Sequence, residues 1–273
     1  MLKRKFSLAV AATSAAALLA VAGCGATATP IQVNLAASEV LNKTATQAQD
    51  VSSYTVDLVA NAKDAQRGEG KLQGRMLYQS KPELALDLTV DQASFAGQSL
   101  PGGARVILLG QTLYVKVDAL KTVMGATKPW MKVDLAKTGD QNEVQKTLDQ
   151  VRQFDLATVT KMVTASKDVK SVGSENVNGT ATTHYSGTFP VDAAMAQLPA
   201  DQQERAKGNV AELKNIKFDI WVDAQGLPAK IAMNGAKGGA SFDATLFFKG
   251  FNEPVSIKAP AADQVGELPQ TGN

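Results

Sequence analysis

Glu83-Leu-Ala-Leu-Asp-Leu-Thr-Val-Asp91 alternates polar and apolar residues, putting Leu84, Leu86, Leu88 and Val90 on one face. A period of two sustained over nine residues predicts a half-buried strand. The pattern also occurs upstream in Tyr54-Thr-Val-Asp-Leu-Val-Ala60 and in Lys71-Leu-Gln-Gly-Arg-Met-Leu-Tyr78, with breakers at Arg67-Gly68 and Ser80-Lys81-Pro82. Downstream it continues in 105–109 and 112–117 around Gly110-Gln111, and again around Trp130-Met-Lys-Val133. Further strands are predicted at 170–178 and 181–189 around Asn178-Gly179, then at 217–223, 228–234 and 240–251.

Helical spacing interrupts this series in a few places. Asn34 or Ser38 can cap a helix over 35–49, and 140–154 and 155–166 carry apolar residues three and four apart. Two more helices are predicted at 193–198 and 201–213. The count is about eleven strands joined mainly by short turns, which specifies an α+β fold with one mainly antiparallel sheet. A sheet of that width curls, giving a strongly curved, incomplete β-barrel with the helices on its concave side. No composition shift divides residues 34–260, which read as one domain ahead of a tail at 261–273.

The N-terminus has a different character. Lys3-Arg4-Lys5 precedes an apolar stretch from Phe6 to Ala20, and Val21-Ala22-Gly23-Cys24 places small residues before a cysteine. This order is that of a lipoprotein signal peptide over 1–23, with Cys24 as the lipidated residue and 24–33 as a flexible tether. The apolar run is shorter than the ~20 residues that span a bilayer. Two acyl chains on Cys24 would give stable anchoring to the outer face of the cell membrane.

Charge and composition exclude several function classes. The chain has 28 Lys+Arg against 26 Asp+Glu, but three of the basic residues lie in the leader, leaving 25 against 26. Such a chain has no basic surplus for nucleic acid. One Cys and one His exclude a disulfide framework and a Cys/His zinc site, so no metal or cofactor is expected. G-x-S-x-G, H-E-x-x-H, Walker A and G-x-G-x-x-G patterns are missing, and the lone His184 is expected to be a hydrogen-bonded strand residue. The chain is therefore read as a non-enzyme. Asp and Glu within the strands are expected on a solvated face. Asn42-Lys-Thr and Asn178-Gly-Thr match the glycosylation pattern but read as a helix turn and a hairpin. Leu268-Pro-Gln-Thr-Gly272 matches a sortase signal, yet lacks the following apolar segment and basic tail, and is read as accidental.

The strand faces are aliphatic, and aromatics are only 5% of the chain, few for filling a wide half-barrel. Two readings stay open on periodicity alone. The helices fill the space as ordinary core, or an apolar cavity remains that an acyl chain would occupy.

Val177-Asn-Gly-Thr-Ala-Thr-Thr-His-Tyr-Ser-Gly187, Trp130-Met-Lys-Val-Asp134, Trp221-Val-Asp-Ala-Gln-Gly-Leu-Pro228 and Phe251-Asn-Glu-Pro-Val-Ser-Ile-Lys-Ala-Pro260 resemble, in order and spacing, the LppX/LprAFG family of actinobacterial lipoproteins. The resemblance implies a LolA-like half-barrel that binds a lipid or lipoglycan in its cavity and carries it within or across the cell envelope, with an envelope transporter as a candidate partner. It supplies no catalytic motif. The face assignments give the candidate lining as Val56, Leu58, Leu72, Met76, Leu86, Leu88, Leu113, Val115, Phe218, Ile220, Met233, Leu246 and Phe248. The competing expectation is a non-transporting envelope interaction or sensor protein built on the same half-barrel.

Overall fold

Three long antiparallel strands, β1 (Ser53–Asp64), β2 (Gly68–Gln79) and β3 (Ala85–Phe95), form the centre of the sheet in the computed structural model. The structure describes residues 36–66, 68–118, 127–137, 141–189, 191 and 216–267. These belong to one compact unit, Leu35–Asn273. On one side of the central strands follow β4 (Gln98–Ser99), β5 (Ala104–Leu109), β6 (Thr112–Val117) and β7 (Trp130–Asp134). On the other lie β8 (Lys170–Val177), β9 (Thr180–Thr188), β10 (Lys217–Asp223), β11 (Pro228–Lys237) and β12 (Ala240–Lys249). β13 (Val265–Glu267) completes the order β13-β7-β6-β5-β3-β2-β1-β12-β11-β10-β9-β8, with β4 on β3.

The β1–β12 pairing joins the two halves of the chain, and the outer strands β13 and β8 leave the sheet open. This is the curved, mainly antiparallel half-barrel expected, with thirteen strands among the described residues rather than about eleven. The two additional strands are the short β4 and β13. β13 arises within the segment read as tail and runs parallel to β7. The expected helices at 193–198 and 201–213, the Cys24 region and the Leu268–Gly272 motif lie outside the described residues.

Antiparallel partners directly opposite one another share a face, so the register fixes which side chains meet. Val56 stands opposite Met76 and Phe248, and Leu58 opposite Gly74 and Leu246. A bulge at Gln73/Gly74 brings β3 so close that a Cβ on Gly74 would collide with the Thr89 carbonyl. The bulge bends and twists the sheet at its centre.

The described helices are α1 (Ala37–Gln47), α2 (Gln141–Arg152) and α3 (Leu156–Thr164). Asp155 caps α3 by accepting the Ala157 N–H at 2.9 Å, and Glu39 reaches back to the Ala36 N–H at the start of α1. Their apolar stripes, with Leu41, Val144, Leu148, Leu156 and Val163 buried, cover the face that carries Tyr54, Tyr78, Leu86, Leu108, Phe218 and Ile220.

One expectation about charge is corrected on the opposite face. Asp87, read as solvated from its place in the alternation, is 5% exposed. Arg105 holds it with two hydrogen bonds, 2.8 and 2.6 Å, while its guanidinium lies over Trp130 at 5.8 Å. A bidentate partner is what makes such burial tolerable.

Candidate functional site

Burial along the concave face falls from one end of the strands to the other. On β1, Tyr54 and Val56 are buried, Leu58 and Ala60 half-buried, and Ala62 exposed. On β12 the same trend runs from buried Phe248 through half-buried Leu246, Ala244 and Phe242. The described helices pack on the first part of this face. Beyond them it stays apolar over ~13 Å from Leu58 to Ala62, at ~3.3 Å per residue. At its far end the Phe95 ring lies against Gly70 and the Phe242 ring against Gly235. Phe95 is 55% exposed.

Among the candidate lining residues, Val56, Met76, Leu86, Phe218, Ile220 and Phe248 are buried in the core cluster with the helices. Leu88, Leu113, Met233 and Leu246 are half-buried and pack against it. Leu58, Leu72 and Val115 are half-buried outside that cluster. The register brings Leu58, Leu246 and Ile231 into one row, with Ala60, Leu72, Ala244 and Met233 in the next.

Aromatic residues build the enclosed end. The Tyr54 ring tilts against Tyr78 at 5.4 Å and Phe248 at 5.8 Å, and its hydroxyl donates to the carbonyl of Phe154 between α2 and α3. Burial, followed by the nearby Tyr78 and Asp155, pushes the Tyr54 phenol far above its ordinary range. Burial and the charge of Asp155 push Tyr78 up to about 12. Both hydroxyls therefore stay neutral at any physiological pH, as an apolar floor requires.

The opposite face carries a polar cluster whose assembly is not visible in the sequence. His184 Nδ1 lies 2.9 Å from Glu175 and Nε2 lies 2.8 Å from Asp219. The imidazole stacks on Trp221 at 4.2 Å, Trp221 Nε1 donates to Glu175 at 2.8 Å, and Lys230 Nζ sits 3.9 Å over the indole. The Trp221 hydrogen bond and that of His184 hold the Glu175 carboxyl below its ordinary value, against the effect of desolvation. Both imidazole nitrogens are engaged by carboxylates, so neither faces a nucleophile. His184 is thus the hydrogen-bonded strand residue expected.

Among the described residues, no cluster of His, Cys, Asp and Glu is arranged to hold a metal ion. No described helix is long and apolar enough to cross a membrane.

The sequence matches no family model. It is 34% identical over 154 residues to an uncharacterized 31.2 kDa protein of Streptomyces griseus encoded in the rplA–rplJ intergenic region, a match covering 53% of this chain and 50% of that protein. The chain thus aligns with about half the length of that relative. Among solved structures, LprF from Mycobacterium bovis has a TM-score of 0.49 at 15% identity, covering 83% of this chain and 97% of that one. The lipoprotein LppX of Mycobacterium tuberculosis has a TM-score of 0.46 at 13% identity, covering 81% of this chain and 98% of that one. The chain is similar to LppX and LprF. A LolA superfamily protein of Nitrosomonas europaea has a TM-score of 0.26 at 10% identity, covering 81% of this chain and 95% of that one.

Proposed function

We propose that the protein binds a lipid or lipoglycan by its acyl chains on the concave face and carries it within or across the cell envelope. A diacylglyceryl anchor on Cys24 would hold it at the extracytoplasmic face of the membrane. The observation that carries this reading is that the apolar face outlasts the described helices, with Leu58 and Leu72 half-buried outside the core cluster. An acyl chain laid along that strip exchanges water for aliphatic contact at ~0.8 kcal/mol per methylene, so eight methylenes contribute about 6 kcal/mol. The small residues Val21-Ala22-Gly23 before Cys24 support the location, since an anchored carrier works where its lipid is handed over.

The test is native mass spectrometry of the full-length protein from a lipid-producing actinobacterial host. Wild type is expected to carry adducts of lipid mass. A Leu58→Asp/Leu72→Asp variant is expected to lose them while remaining folded, because both positions are already partly solvated. Wild type that is consistently empty, with crosslinking that captures one stable envelope protein, would overturn the carrier reading in favour of a non-transporting interaction protein.

A further inference from the structure

At the far end of the concave face, one row of opposed residues crosses five neighbouring strands. Phe95 on β3 stands opposite Gly70 on β2, and Gly70 opposite Ala62 on β1. Ala62 in turn faces Phe242 on β12, which faces Gly235 on β11. The two glycines let the two rings lie down on the sheet. A Cβ on Gly70 would press on Phe95 Cδ2 at 3.3 Å, and a Cβ on Gly235 would collide with Phe242 Cε1 at 2.7 Å. The Phe95 ring therefore leans over β2, where Gly70 is buried, and the Phe242 ring leans over β11, away from Ala62. Between them Ala62, with a single methyl for a side chain, is exposed.

The row makes a slot with a methyl floor and aromatic walls, open to solvent. One wall is the Phe95 ring over β2 and the other is the stem of Phe242 on β12, two strand spacings or ~10 Å apart. A carbon chain that touches both walls at ~4 Å takes up ~8 Å, and a second chain beside it would need ~4 Å more. One chain fits on this floor and two do not.

The slot continues inward along the same face. In the next row Ala60 and Ala244 form the floor, with Leu72 on one side and Met233 on the other. One row further, Leu58 and Leu246 stand opposite each other and raise the floor. The run from Ala62 to Leu58 is ~13 Å, and a zigzag of carbon–carbon single bonds advances ~1.3 Å per carbon, so about ten methylenes lie straight in it. We propose that Phe95 and Phe242, with Ala62 between them, set how many chains the site takes, so that its ligand is a lipid held by one acyl chain with any further chain left outside. The inference narrows the acyl-chain reading above and rests on it. Both rings act on the ligand by contact and steric exclusion, and neither is needed to close the core at the other end of the strands.

The test titrates lipid-stripped full-length protein by calorimetry with octanoyl lysophosphatidylcholine and dioctanoyl phosphatidylcholine, each below its micelle concentration. The two probes differ by one acyl chain. If both chains of the diacyl probe were buried, it would bind more than about a thousandfold tighter than the single-chain probe. With one chain held, the two affinities are expected to agree within about tenfold. Phe95→Ala, which takes away one wall at an exposed position, is expected to shift the preference about tenfold or more toward the diacyl probe. Ala62→Leu, which fills the slot, is expected to weaken the single-chain probe about tenfold or more. Should Ala62→Leu fail to fold, the wild-type comparison and Phe95→Ala decide. A diacyl probe bound more than tenfold tighter by wild type, or a Phe95→Ala variant with unchanged preference, would overturn the one-chain slot and leave the acyl-chain reading standing. Wild type that binds neither probe would overturn both.

Discussion

Removing one oxygen atom at Tyr54 tests how the helices are held on the concave face. Tyr54 is 1% exposed, and its hydroxyl donates to the Phe154 carbonyl at the junction of α2 and α3. Tyr54→Phe keeps the ring contacts with Tyr78 and Phe248 and deletes that single link. A neutral hydrogen bond contributes about 1 kcal/mol, and Phe154 is 45% exposed, so water can reach its carbonyl after the loss. A decrease of about 1 kcal/mol at pH 8 corresponds to ~2–4 °C in Tm for a chain of this size. The sign reverses in alkali. The unfolded phenol titrates near 10.0, while burial, then Tyr78 and Asp155, hold the folded phenol higher. The stability this proton brings is complete below pH 10 and is lost as pH rises toward the folded value. By pH 11 the unfolded state gains about 1.4 kcal/mol from this one ionisation. Tyr54→Phe lacks that liability, so its deficit at pH 8 should vanish by pH 11. Urea unfolding followed by far-UV circular dichroism at both pH values gives the two differences. A variant as stable as wild type at pH 8, or one whose deficit is the same at pH 11, would refute the reasoning.

Two further perturbations probe the outer face and the sheet end. His184→Ala removes two hydrogen bonds to carboxylates and a stacked ring, so thermal unfolding is expected about 3–6 °C lower, from ~1.5 kcal/mol lost. Adducts on the concave face should be unchanged in native mass spectrometry of that variant, and their disappearance would link the two faces. Asp168 accepts hydrogen bonds from the Thr188 hydroxyl (2.6 Å), the Thr188 N–H (2.8 Å) and the Ser166 hydroxyl (2.9 Å), which pull its pKa to about 2. A depressed carboxyl stabilises above its unfolded value of 3.8 and loses that contribution as pH falls toward 2. Asp168→Asn should therefore show a shallower stability loss between pH 4 and 2 in an acid titration followed by circular dichroism. Parallel curves for the two proteins would remove Asp168 as a contributor.

Local pattern was enough wherever a boundary had local chemistry. β6 at Thr112–Val117 and β10 at Lys217–Asp223 have the expected bounds, since Gly110-Gln111 and the turn after Asp223 punctuate them. Asp155 likewise marks the start of α3. β4 has two residues and β13 three, too few to show a period, and the parallel pairing of β13 depends on a long return of the chain to β7. Glu175, His184 and Asp219 come from three strands and meet only through register, so no spacing in the sequence announces them. Asp87 looks like its alternating neighbours until Arg105 arrives from β5.

Periodicity assigned the faces but carried no information on how far the helices extend over them. Val56 and Leu58 are two residues apart, similar in kind and on the same face, yet one is 4% exposed and the other half-buried beyond the cluster. Aromatic rings stand at both ends of the face. Tyr54, Tyr78 and Phe248 pack at the enclosed end, Phe95 and Phe242 lie at the far end, and the aliphatic Leu58 and Leu72 stand between the two sets of rings. Rigid rings suit a floor that packs once against fixed helices. Flexible aliphatic side chains, Met above all, suit a surface that must re-pack against chains of differing length. The aliphatic stretch between the two sets of rings is therefore the part of the face suited to an occupant that changes, whatever that occupant is.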